Sequence, residues 1–135
     1  MGVKPFLDTN VLIYAFASND ERAAKAEALL AAGGLISIQV LNEFVSVCRN
    51  KLKLNWTQIE SARDIVKNLL DPPIPLTLDL HESAVVLTRT NGLAFYDSLI
   101  VAAALSANCD TLYSEDMQHG QRIDGITIRN PFARK

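Results

Sequence analysis

Short apolar runs alternate along this chain with longer stretches whose apolar residues recur at helical spacing. Val3, Phe6 and Leu7 form a run too brief for a helix, and it stops at Asp8. Polar Thr9 and Asn10 follow, then Val11, Leu12, Ile13 and Phe16 at roughly helical spacing, the pattern of a buried strand feeding a helix. A second helix is predicted over 20–32, with Ser18 and Glu21 at capping-box spacing and Gly33-Gly34 as its stop. Residues 35–37 read as a short strand. The spacing then predicts a helix over 38–52, with Leu41, Phe44, Val45, Cys48 and Leu52 as its apolar stripe and Gln39, Glu43, Ser46 and Asn50 on another face. A helix over 57–70, with Thr57 and Glu60 at capping-box spacing, is stopped by Asp71-Pro72-Pro73. Residues 75–78 are predicted as an edge strand and 79–91 as a helix ending at Gly92. The stretch 95–107 is apolar nearly all round, which predicts a fully buried helix. Residues 111–113 and 126–128 read as strands, with a turn or short helix over 114–119. Strands alternating with helices define an α/β domain around a largely parallel sheet.

Composition narrows this only a little. At 135 residues, 49% hydrophobic and 21% charged, the chain is expected to be one domain, 1–135, with one core. No apolar run approaches the ~18–20 residues of a membrane span. The first strand begins almost at once, leaving no room for a signal peptide. Cys48 and Cys109 sit in apolar helical sequence and read as buried free thiols, which fits a reducing cytoplasm. With His81 and His119 they show no zinc-ligand spacing. The formal net charge of −2 argues at first against a nucleic-acid partner. Setting four of the fifteen acids aside as metal ligands leaves eleven against thirteen Lys and Arg, so charge permits such a partner without predicting it.

The acids carry the chemistry. In an open parallel sheet, strand carboxyl ends open on the crevice where ligands bind. Asp8 and Asp116 both follow strands, Asp97 lies in the first turn of the buried helix, and Glu43 lies about a turn into the helix after the second strand. Each has a plain structural role available: Asp8 as a helix cap, Asp97 as a complement to the helix dipole, Asp116 in a turn capped by Ser114, Glu43 as a solvated side chain. Converging together, they would repel one another and raise their pKa values unless a hard cation joined them. Mg2+ takes such oxygen ligands, and it can orient a phosphodiester and activate water. No Ser-His-Asp or Cys-His arrangement competes, and Gly33-Gly34 lacks a phosphate loop's Lys and Ser/Thr.

In this light Phe6-Leu7-Asp8-Thr9-Asn10-Val11-Leu12-Ile13-Tyr14, Asn42-Glu43-Phe44, 96–104 from Tyr96-Asp97-Ser98 onward, and Ser114-Glu115-Asp116-Met117 resemble the four acidic motifs of PIN-domain ribonucleases. The length and the ending Ile126-Thr127-Ile128-Arg129-Asn130-Pro131-Phe132 resemble the VapC-type toxins of prokaryotic toxin–antitoxin pairs. The resemblance implies a three-layer α/β/α sandwich and a Mg2+- or Mn2+-dependent endoribonuclease. It places Asp8, Glu43, Asp97 and Asp116 as the catalytic, metal-binding quartet, supported by Ser114 and by Asn10 beside the first acid. It further implies an RNA substrate, a homodimer and a small antitoxin, expected to bring a basic side chain, such as Arg, to the acids. Arg49, Lys51 and Lys53 are candidate RNA contacts, with Lys4, Arg122 and Arg129 beyond them; for any one of them taken singly, a solvated helix end is the preferred reading. Of the aromatics, Tyr14, Trp56 and Tyr96 bear on specificity, and Trp56 reads as packing between helices. A receiver module fits less well, since the adjacent acidic pair after the first strand is missing. An Asp-nucleophile phosphatase would want an acid where Asn10 stands. The stronger alternative is a PIN domain in RNA processing, or one that only binds RNA.

Overall fold

Phe6 and Leu7, both wholly buried, form β1 (Phe6–Leu7) of the computed structural model, which describes residues 3–133. The elements after it are α1 (Thr9–Ala17), α2 (Glu21–Ala32), α3 (Ile38–Ser46), α4 (Trp56–Leu69), α5 (Leu78–Asn91), α6 (Phe95–Ser106), β2 (Thr111–Tyr113), β3 (Arg122–Ile123) and β4 (Ile126–Arg129). The sheet order is β1-β2-β4-β3, with β1, β2 and β4 parallel and β3 antiparallel to β4. Helices flank this mostly parallel sheet, α1 against α2 and α3, and α5 against α6. Phe6, Leu112 and Ile128 stand side by side in register, all at zero exposure, so the centre of the sheet is the centre of the core. Residues 99–104 of α6 are all buried, as its all-round apolar sequence requires.

The predicted strand at 35–37 survives as isolated bridges, Leu35 to Phe6 and Ser37 to Ile74. Gly34 makes the first possible: a Cβ there would meet the Pro5 carbonyl oxygen at 2.9 Å. The edge strand expected at 75–78 does not form. Ile74 alone pairs, Pro75 has no N–H to continue a ladder, and Thr77 caps α5 by accepting from the Leu80 amide. Caps also moved. Asp20, not Ser18, is the N-cap of α2, and Asn55 with Gln58, not Thr57 with Glu60, makes the capping box of α4. The helix expected over 38–52 is regular only to Ser46 and then widens into a π turn, Val47–Lys51. The antiparallel strand β3 was not foreseen, because two residues ending in one buried Ile123 carry too little pattern.

Candidate active site

Parallel pairing sets Leu7 opposite Tyr113, so β1 and β2 end side by side. The Asp8 amide donates to the Tyr113 carbonyl at 2.9 Å and the Ser114 amide to that of Arg129 at 3.0 Å, which fixes both residues at one sheet edge. Asp8 is 3% exposed and has two structural bonds: its carboxylate accepts from the Thr9 amide at 2.6 Å and from the Ser114 hydroxyl at 2.7 Å. The capping reading and the site reading therefore describe the same residue. Ser114 is wholly buried and also accepts from the Met117 amide at 3.3 Å, closing the turn that carries Asp116.

The other acids approach this pair. The Thr9 hydroxyl donates to Glu43 at 2.8 Å, and Gln39, one turn before it on α3, donates to its other oxygen at 3.0 Å. Asn10 donates to Asp116 at 2.9 Å. Asp97 stands in the first turn of α6, whose N-cap Ala94 supplies no side-chain cap. Burial and neighbouring charge act together on three of the acids. Burial, then the charges of Asp116 and Asp97, push Asp8 up to about 6 against the bonds from Ser114 and Thr9. Asp97 is raised by desolvation and by Asp116 and Glu43. Asp116 is raised by desolvation and by Glu115 and Glu43, against the Asn10 bond and the Lys51 charge. Strands and helices distant in sequence have thus brought Asp8, Glu43, Asp97 and Asp116 into one field.

Thr9, Gln39, Tyr14 and Arg22 hold roles that the sequence reading did not assign to them. Thr9 and Gln39 orient Glu43; Gln39 was visible as its helical neighbour, while Thr9 gave no signal beyond adjacency to Asp8. Tyr14 donates to Glu115, the residue before Asp116, and Arg22 both donates to the Tyr14 hydroxyl at 2.9 Å and pairs with Glu115 at 3.6 Å. This ties α1 and α2 to the loop that carries Asp116. Among the basic candidates, Lys51 lies within electrostatic reach of Asp116, whereas Lys4 is paired with Asp71 at 2.7 Å on the surface. Trp56 does not pack between helices; it is 53% exposed, with the Arg49 guanidinium 5.0 Å from its ring centre. His81 and His119 are exposed.

The donors at this edge are all oxygen, which suits a hard divalent cation rather than zinc. Among the described residues no three such side chains stand close enough together to hold a metal ion as they are placed.

The chain is an open α/β sheet with acids gathered towards its carboxyl edge, and sequence comparison gives the family. The PIN domain model matches residues 6–123, and the chain belongs to the PIN-domain family. Solved structures of similar fold are toxins. VapC20 of Mycobacterium tuberculosis, described as a toxin cleaving the sarcin-ricin loop, is 21% identical, with a TM-score of 0.66 over 83% of this chain and 89% of that one. A toxin–antitoxin complex from Klebsiella pneumoniae is 24% identical, with a TM-score of 0.72 over 95% and 98%. VapBC2 of Rickettsia felis, bound to a promoter DNA fragment, is 25% identical, with a TM-score of 0.67 over 93% and 96%. Comparison with curated protein sequences gives no match. Among the described residues no helix is long and apolar enough to cross a membrane.

Proposed function

We propose that the chain is an endoribonuclease that hydrolyses RNA phosphodiester bonds with Mg2+ or Mn2+, and that it is the toxin of a toxin–antitoxin pair. The observation that carries the reading is the gathering of Asp8, Glu43, Asp97 and Asp116 towards one sheet edge by bonds between distant residues, Ser114 to Asp8, Asn10 to Asp116 and Thr9 to Glu43, with burial and neighbouring acids raising Asp8, Asp97 and Asp116. A structural cluster would keep its acids apart or pair them with Arg or Lys. Here the nearest contribution of that kind is the more distant charge of Lys51 on Asp116. Asp8, Asp97 and Asp116 would hold the ion, directly or through water, and Glu43 would support it from the α3 side.

Bound there, a divalent ion supplies a lowered pKa for water and charge stabilisation for the departing oxygen. The protein's own part is orientation. Ser114 and the Thr9 amide fix Asp8, Asn10 fixes Asp116, and Thr9 and Gln39 together fix Glu43. Membership of the PIN family and the likeness to VapC folds support the toxin assignment and a cognate antitoxin; a homodimer and a cytoplasmic setting are part of the same proposal. Arg49, Lys51 and Lys53 would guide the RNA.

The test is cleavage of RNA by purified protein with Mg2+, with Mn2+ and with EDTA, in the wild type and in Asp8→Asn. Metal-dependent cleavage should fall more than about a hundredfold in the variant, beyond the effect of losing a residue that merely orients a ligand, while its circular dichroism stays native. A folded Asp8→Asn protein that cleaves like wild type would refute the assignment.

A further inference from the structure

The chain's one tryptophan lies where the sequence would not have put it to use. Trp56 opens α4 just past its N-cap Asn55, and just over half of its surface faces solvent. The Arg49 guanidinium lies 5.0 Å from its ring centre and is itself held, donating to the Leu54 carbonyl at 3.2 Å. The backbone here is also unusual. The π turn Val47–Lys51 closes with the Leu52 amide on the Val47 carbonyl at 3.0 Å, and Lys53 takes a left-handed φ of 58°. π turns recur at functional sites.

Charge on this corner is one-sided. Residues 49–55 include Arg49, Lys51 and Lys53 and no acid. Among the described residues none of these three has a carboxylate within ion-pair distance, whereas Lys4, Arg22, Arg63 and Lys67 each have one. Lys51 is the link to the acidic edge, because the π turn that ends at Lys51 continues α3, the helix that carries Glu43, so that about 12 Å of helix separates the two. A protein-binding apolar stripe would look different. The exposed Ile65 and Leu69 make such a stripe further along α4, but Ile65 lies nine residues from Trp56, about two and a half turns, and so on the opposite side of the helix.

We propose that Trp56, backed by Arg49, is a stacking platform for an unpaired base of the RNA substrate, with Lys51 and Lys53 holding the backbone between that base and the acidic edge. Every base has a face to stack, and an aromatic ring joined to a line of cations is how single strands are held without reading their sequence. An unpaired base can be splayed onto such a ring, whereas a base inside a duplex cannot. The inference rests on the ribonuclease reading and adds to it that the substrate is single-stranded at this point.

A sole tryptophan is its own reporter. Unlabelled single-stranded RNA of about twelve nucleotides, titrated into full-length Asp8→Asn protein, should quench Trp56 fluorescence, and the same sequence as a duplex should leave it unchanged. In a cleavage-silent background, Trp56→Ala should weaken binding of a dye-labelled strand about tenfold, and Trp56→Phe should restore most of it. If wild-type protein cleaves RNA while Trp56 fluorescence ignores the strand and Trp56→Ala binds normally, the platform is refuted and the nuclease reading stands. If no RNA is bound or cleaved, both fall. If Trp56→Ala instead changes only the oligomeric state on size exclusion, the corner is a protein interface and the platform is refuted.

Discussion

The acidic edge of the sheet and the basic corner before α4 are built in opposite ways. The edge is cross-linked by bonds between residues far apart in sequence: Ser114 to Asp8, Asn10 to Asp116, Thr9 to Glu43. The corner is held by local bonds, Arg49 to Leu54 and Asn50 to Ser46, and its cations point into solvent. Groups that do chemistry must be fixed to a fraction of an ångström, whereas cations that track a phosphate backbone act through a screened field and tolerate motion. The edge is therefore expected to respond to protons and to single-atom deletions, and the corner to salt.

Protonation should give the largest effect. Asp8 titrates at about 6 in the fold against an ordinary 3.8. Between those values the folded protein holds a proton that the unfolded chain has released, so the contribution of Asp8 to stability is greatest below about pH 4 and is lost as pH rises through 6. Asp97 and Asp116 are shifted in the same direction. In EDTA the wild type should lose about 3 kcal/mol across this window relative to Asp8→Asn, read from urea unfolding at several pH values. Parallel curves for the two proteins would mean that Asp8 bears no unfavourable charge. Next in size, Ser114→Ala removes one hydroxyl that both donates to Asp8 and caps the turn before Asp116. Steady-state cleavage should fall about 10- to 100-fold, with Ser114→Thr closer to wild type. The smallest effect belongs to the corner. Lys51→Ala and Lys53→Ala should each lower the slope of log affinity for single-stranded RNA against log salt by about 0.7, leaving the pH profile in place. A Lys53→Ala variant that moved the pH profile and not the salt slope would erase the distinction between the two regions.

Much of this arrangement was legible in the sequence for physical reasons. Strand ends and helix starts are punctuated by Asp8, Gly33-Gly34, Gly92 and Asp97, and the all-apolar 99–104 could only be interior. Parallel topology then places Asp8 and Asp116 on one side. What stayed hidden depends on geometry that no periodicity encodes. Tyr14, Arg22 and Glu115 meet only because α1, α2 and the loop after β2 fold together. Pro75, two residues beyond the prolines that end α4, silences the ladder expected at 75–78, so the run there becomes the lead into α5. Trp56 looked like packing because large apolar residues usually are; instead Asn55 caps α4 two residues earlier than Thr57 would have, and Trp56 opens the helix half in solvent.

The central claim is that Asp8, Glu43, Asp97 and Asp116 form a cation site. Its most direct test is the melting temperature of metal-free wild type and Asp8→Asn at pH 7.5, followed through a titration with Mg2+ or Mn2+. The account predicts that the metal-free variant melts above the metal-free wild type, and that the ion raises the wild type saturably while scarcely moving the variant. A wild type indifferent to both ions, or a variant raised by the same amount, would contradict it.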